Sequence, residues 1–225
     1  PSVAYTAPSS HAAPQHCITQ SLIMYFRCFD FLSKEYSMYP VETMKTNFYG
    51  TMNLLDYAKS VDAEGFLYVS TIEIYGTTHG LDKIGEDNYG EIDAMKVRSC
   101  YPLSKKGCET LTVSYADEYG LPVKIGRLSY IFGPGMREGD SKIVAVFPKC
   151  IADGENIVMK SKGEQLRSYT YVTDAITALF TVLLDGENGQ AYNIASKKCI
   201  TTIAGIAHTL VDSYPEKGLK VIMDI

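Results

Sequence analysis

Phe66-Leu67-Tyr68-Val69-Ser70, closed by Thr71, is too short an apolar run for a helix. A strand covered by helices on both faces reads as such a continuous run, so this stretch predicts a buried parallel strand. Upstream, Pro40 is a helix start, and Met44, Phe48, Met52 and Leu55 keep one apolar face down to Ala58. Downstream, a polar, glycine-containing stretch over 76–99 reads as a long loop. A helix follows over 102–119, with Gly120 placed to stop it, and then a second buried strand over 123–128. Helix, strand, helix and strand in this order predict an α/β domain built on a parallel sheet.

The second half continues the alternation. Gly133-Pro134-Gly135 is a loop, and a helix is expected over 142–152. Short strands are expected over 157–159 and 168–172, then a helix to Leu184 with Asp174 as its N-cap. A strand over 191–194, a helix over 202–211 and a last strand over 219–223 complete the pattern. Residues 1–40 differ in texture: Pro1, Pro8, Pro14, Ser9 and Ser10 read as loop. Ile18, Leu22, Phe26 and Phe29 then fall at the spacing of a short amphipathic helix.

At 225 residues the chain fits one domain, or one domain with a small lobe, on the scale of about 100–200 residues per domain. Hydrophobic residues make up 46% and charged residues 21%, enough apolar content to bury a core. The net charge of −5 offers no basic excess to gather phosphates, which argues against nucleic acid as a partner. The stretch over 21–33 is broken by Arg27 and Asp30 and is too short and too charged to span a bilayer. No basic segment or cleavage site precedes it. Cys17, Cys28, Cys100, Cys108, Cys150 and Cys199 form no C-x-x-C pair and read as reduced thiols of a cytoplasmic protein. His11, His16, His79 and His208 have no metal-ligand spacing, so no metal is expected.

The chemistry centres on Tyr101 and Lys105, four residues apart and therefore on one helix face. An ammonium beside a phenol favours the phenolate. Moving a tyrosine from about 10 to about 7 takes about 4 kcal/mol of such help. A base of that kind can take the proton of a sugar hydroxyl as hydride leaves the same carbon. With 17 tyrosines in the chain, about one such pair arises by chance, so the pair alone is an ordinary exposed couple as readily as a catalytic one. Thr71 changes the weighing, because catalytic groups gather at the carboxyl ends of parallel strands.

Four ordered segments then resemble a known family: Val69-Ser70-Thr71-Ile72-Glu73-Ile74-Tyr75-Gly76; Tyr101-Pro102-Leu103-Ser104-Lys105; Arg127 leading to Phe132-Gly133-Pro134-Gly135; and Arg167-Ser168-Tyr169-Thr170-Tyr171-Val172-Thr173-Asp174. From about Tyr39 onward the chain looks like the extended short-chain dehydrogenases that modify nucleotide sugars, the epimerases, dehydratases and decarboxylases. The resemblance implies NAD as cofactor and a nucleotide-diphosphate sugar as substrate. It implies an α/β fold with a Rossmann-like parallel sheet, over 1–128, and a small C-terminal substrate lobe over 129–225, with about 168–186 returning to the Rossmann part. It implies a catalytic set of Thr71, Tyr101 and Lys105, the last two also touching the cofactor, with Asn47 near the cofactor. Arg167 matches an arginine that contacts the substrate diphosphate, and Lys142 stands where decarboxylase-like members carry an arginine. A solvated lysine at a helix start is the plain alternative for Lys142.

Glu73 bears on the reaction. Dehydratases of this group carry Asp-Glu after the threonine, decarboxylases Ser-Glu, and epimerases no carboxylate; this chain has Ile72-Glu73. The expectation is C4 oxidation to a transient ketone, followed by dehydration or decarboxylation. The alternatives are a 4-epimerase and a non-catalytic nucleotide-sugar-binding fragment. Against the plain role of a strand-end carboxylate on backbone N–H groups, Glu73 is taken as catalytic. Tyr130 replaces an asparagine of many relatives. The family's Gly-x-x-Gly-x-x-Gly, whose helix N-terminus cradles the cofactor pyrophosphate, has no match, so the chain is read as an interior portion of such an enzyme. The resemblance also implies a homodimer through the helices near 40–60 and 102–119, with Met52, Tyr115 and Tyr119 on the contact face.

Overall fold

The computed structural model describes residues 22–25, 35–78, 83–136 and 139–225. A four-stranded sheet of order β1-β2-β3-β7 is parallel throughout: β1 Leu22–Tyr25, β2 Gly65–Thr71, β3 Val123–Leu128 and β7 Ala191–Ile194. Between β1 and β2 run a single turn, α1 Glu35–Met38, and the long α2 Pro40–Ser60. The crossover from β2 to β3 is α3 Cys100–Tyr119, which ends on Gly120 in the left-handed conformation. That conformation leaves glycine little steric cost and lets its N–H reach the Ala116 carbonyl.

Alternation along β2 explains why its sequence is apolar on both faces. Phe66 and Tyr68 pack with Leu55, Ala58, Cys108, Val123 and Ile125 beneath α2 and α3. Leu67 and Val69 face the other way, against Ala175, Leu179, Val182 and Leu183 of α5 Val172–Asp185 and Ile194 of β7. The sheet is thus the middle of three layers. Beyond β3 the chain leaves it to form β4 Tyr130–Phe132, α4 Ile143–Asp153 and β5 Ile157–Met159. β6 Leu166–Tyr171 pairs parallel with β4 and antiparallel with β8 Ile200–Thr202. α6 Ile203–Asp212 and β9 Val221–Met223 close the chain, with β9 beside β5. Phe147, Ile151, Ile157, Met159 and Ala207 form the separate core of this part.

Three local expectations are corrected. The helix expected from Ile18, Leu22, Phe26 and Phe29 is, over Leu22–Tyr25, a strand paired with β2; the other three positions lie outside the described residues. A four-residue apolar run satisfies either period, and the parallel partner decides. Asp174 is not the N-cap of α5: Tyr171 holds that position without a side-chain bond, and Asp174 lies in the first turn, where its charge still suits the helix N-terminus. The strand expected over 168–172 ends at Tyr171, because Val172 already opens α5.

A buried polar network ties the 83–92 loop to the sheet. Arg127 of β3 meets Glu109 of α3 with two bonds, 2.8 and 3.1 Å. Its Nη1 donates to the Tyr75 hydroxyl at 2.7 Å and to the Glu86 carbonyl at 2.9 Å. Tyr75 donates in turn to Asn193 Oδ1 at 2.8 Å, and Asn193 Nδ2 donates to the Ile84 carbonyl at 3.0 Å. Burial disfavours the charge on Arg127, but Glu109 and Tyr75 more than offset it and hold its pKa above the ordinary arginine value. Among the described residues no helix is long and apolar enough to cross a membrane.

Candidate active site

β2 ends at Thr71, and the next four residues, Ile72–Tyr75, form a 3-10 turn. The turn is capped by the Thr71 hydroxyl, which accepts from the Glu73 N–H at 3.2 Å. A hydroxyl has two acceptor sites and one proton, so Thr71 keeps its proton to donate while it caps. The strand end therefore builds the turn and presents the hydroxyl with the same residue.

On α3, Tyr101 lies in the first turn and is half-buried. Lys105, one turn on, is only 4% exposed. Its Nζ donates to the Val69 carbonyl at 2.7 Å and sits 4.4 Å from the centre of the Tyr68 ring. A carbonyl dipole and an aromatic face both favour a cation, which is what allows the ammonium to be buried. Lys105 thus reaches β2 two residues before Thr71 and pins the start of α3 to the carboxyl end of that strand. Burial pushes the Tyr68 phenol well up, with Cys108 and Tyr101 among the neighbours that add to the shift.

Asn47 of α2 is buried and works through α3. Its Nδ2 donates to Ser104 Oγ at 2.8 Å, and that hydroxyl donates to the Tyr101 carbonyl at 3.0 Å. Its own carbonyl accepts from Thr51 Oγ1 at 2.7 Å and Cys108 Sγ at 3.3 Å. The turn that carries Tyr101 is therefore held from α2 as well as from β2.

Among the described residues the Glu73 carboxylate accepts from a side chain and from no backbone N–H. Its Oε2 is 2.9 Å from Nη2 of Arg98, on the 3-10 turn Val97–Ser99 that leads into α3. Sequence reasoning missed Arg98; an arginine three residues before Tyr101 was the available signal.

The other two candidates make their contacts in the second part of the molecule. Arg167 of β6 stacks over Tyr130 of β4, its guanidinium carbon 4.2 Å from the ring centre. Tyr169, on the same face, is 5.9 Å from Tyr130 between ring centres. So the tyrosine that replaces an asparagine supplies a shelf for the arginine. Lys142 is the N-cap residue of α4, with its Nζ 3.6 Å from Asp140 Oδ2.

The donor set fits the nicotinamide end of an NAD molecule. Tyr101 and the Lys105 ammonium can bond ribose hydroxyls. Ser70, next to Thr71, is buried with a hydroxyl that has no hydrogen-bond partner among the described residues. The 225 residues hold no Gly-x-x-Gly-x-x-Gly, so no pyrophosphate cradle of that kind is formed from them.

Residues 32–195 match the model of the NAD dependent epimerase/dehydratase family. UDP-glucuronic acid decarboxylase 6 of Arabidopsis thaliana is 35% identical over 188 residues, which are 83% of this chain and 54% of that protein. The chain spans about half the length of the curated relatives it matches. Two solved structures share the fold. The UDP-glucose 4-epimerase of Thermotoga maritima with UDP-glucose has a TM-score of 0.79 at 22% identity, covering 89% of this chain and 63% of that one. A dTDP-glucose 4,6-dehydratase of Streptomyces venezuelae with NAD has a TM-score of 0.74 at 23% identity, covering 91% and 61%. The parallel sheet agrees with these likenesses of fold, and the chain belongs to the NAD dependent epimerase/dehydratase family.

Proposed function

We propose that the full protein is an NAD-dependent enzyme acting on a nucleotide-diphosphate sugar acid, oxidising C4 and then losing the C5 carboxylate as carbon dioxide. The observation that carries this reading is the buried Lys105 ammonium, bonded to β2 two residues from Thr71 and one helical turn from Tyr101. NAD supplies the acceptor, and later the donor, of the C4 hydride. Tyr101 takes the proton from the C4 hydroxyl, with Lys105 stabilising the phenolate. Thr71 donates its hydroxyl proton to the same sugar oxygen. Asn47, through Ser104, holds the turn on which Tyr101 rides.

Once C4 is a ketone, the C5 carboxylate lies β to a carbonyl. Its bond to C5 breaks, carbon dioxide leaves, and the electron pair passes to O4 as an enolate. Thr71 and the protonated Tyr101 donate to that oxygen, where negative charge develops. Glu73 relays a solvent proton to C5, and the hydride then returns to C4. Ile72 has no proton for a leaving hydroxyl, which favours decarboxylation over dehydration. The likeness to proteins named UDP-glucuronic acid decarboxylases supports the same choice. Arg167 and Lys142 are the cations for the diphosphate, which assigns substrate binding to the second part of the chain and the cofactor side to the first. The enzyme assembles as a homodimer through α2 and α3.

The test uses the full-length protein with NAD and UDP-glucuronate. Tyr101→Phe is expected to lower kcat by about 10²–10⁴-fold, the scale of a lost general base. Turnover unchanged by Tyr101→Phe contradicts the reading.

A further inference from the structure

Arg98 stands three residues before Tyr101, on a turn fastened to its surroundings. The Ser99 hydroxyl donates to the Asp93 carbonyl at 2.6 Å, and the Ser99 N–H to the Lys96 carbonyl at 2.9 Å. The Cys100 N–H donates to the Val97 carbonyl, and α3 begins there. Glu73 stands two residues beyond Thr71, on the turn that the Thr71 hydroxyl caps. The 2.9 Å contact between Arg98 Nη2 and Glu73 Oε2 joins the two turns.

The side chains are 50% and 30% exposed, and a pair so solvated adds little to stability. Nor is it needed to hold α3, which Lys105 already fastens to β2 and Asn47 to α2. What it fixes is the direction of Glu73, whose side chain would otherwise be spread over several rotamers. It also sets a positive charge beside a carboxylate that would otherwise repel a substrate carrying a diphosphate and a carboxylate of its own. A guanidinium does both, because its planar fork is pre-organised and it stays charged.

We propose that Arg98 is a positioning residue: its ion pair holds Glu73 at the carboxyl rim of β2, in one frame with Tyr101, for the step that follows C4 oxidation. This rests on the function proposed above. Arg98 acts through Glu73, so its loss slows the protonation of C5 and with it the completion of each cycle, and spares the oxidation.

The experiment takes the full-length enzyme with NAD and UDP-glucuronate, as the parent and as Arg98→Ala, Arg98→Lys, Glu73→Gln and the Arg98→Ala/Glu73→Gln double variant. The single-turnover absorbance of reduced nicotinamide reads the oxidation, and steady-state carbon dioxide release reads completed cycles, which wait on C5 protonation and hydride return. Arg98→Ala is expected to keep the absorbance rise and to lower release by about 10–100-fold, the cost of a misplaced group. The loss falls in kcat more than in KM, and Arg98→Lys, which keeps the charge but not the fork, recovers part of it. The double variant is expected to be no slower than Glu73→Gln alone, because a residue that acts only through Glu73 has nothing left to act on. Release unchanged in Arg98→Ala, or losses that multiply in the double variant, overturn the role while the proposed function stands. A parent enzyme that releases no carbon dioxide contradicts the proposed function first and carries the role of Arg98 with it.

Discussion

Arg127 shows what a single residue holds in place. It sits in the middle layer, where an apolar side chain would be expected, and its charge is answered by Glu109 at 2.8 Å. Removing one partner of a buried pair leaves the other charged and unpaired, which costs about 3–5 kcal/mol. Glu109→Leu is expected to lower the urea midpoint by that much stability, and Arg127→Met added to it to recover part of the loss. An unchanged midpoint in Glu109→Leu would show that solvent reaches the arginine. Thr71, Tyr101 and Lys105 stood out as candidates by a strand end and a four-residue spacing, and Glu73 by the resemblance of its motif. The partners of two arginines did not. Arg127 meets Glu109 and Tyr75, and Arg98 meets Glu73, only through the packing of α3 on β2, and no local pattern announces such pairs.

At the scale of elements, the buried strands and long helices were legible because period and length agree in them. β7 falls on 191–194 and α2 on 40–60, both as expected. β4 and β8, three residues each, carry no period of their own, and only pairing with β6 makes them strands. The turn after β2 depends on Gly76, at φ 57°, where a Cβ would lie 2.0 Å from the Glu91 carbonyl oxygen. That oxygen accepts from the Thr77 N–H at 2.9 Å, joining the turn to the loop that Arg127 and Asn193 hold. Gly76→Ala must therefore break the bridge or strain the turn that carries Glu73, at about 1–3 kcal/mol for the backbone alone. Thermal unfolding should show a matching fall in Tm, and a Tm equal to the parent's would contradict the geometry.

For the whole molecule, two arrangements bear on function. The first is the face of α2 and α3 away from the sheet. Tyr49, Tyr57 and Tyr119 are exposed there, and Met52 and Tyr115 half-buried. The Tyr115 hydroxyl donates to Asp56 Oδ1 at 2.6 Å, and that carboxylate helps push its pKa up to about 12. Large apolar patches are uncommon on monomers, and sedimentation of the full-length protein is expected to give a dimer that Met52→Arg separates. A monomeric mass for the parent would remove the dimer. The second is the carboxyl end of the main sheet, where Thr71, Glu73, Tyr101 and Lys105 sit on β2, the turn that follows it and the start of α3. The direct measurement is the fate of a carbon label in the carboxylate of UDP-glucuronate, turned over by the full-length enzyme with NAD. The label is expected to leave as carbon dioxide, and the nucleotide to retain a five-carbon sugar. A six-carbon product that keeps the label, inverted at C4 and otherwise intact, would contradict it.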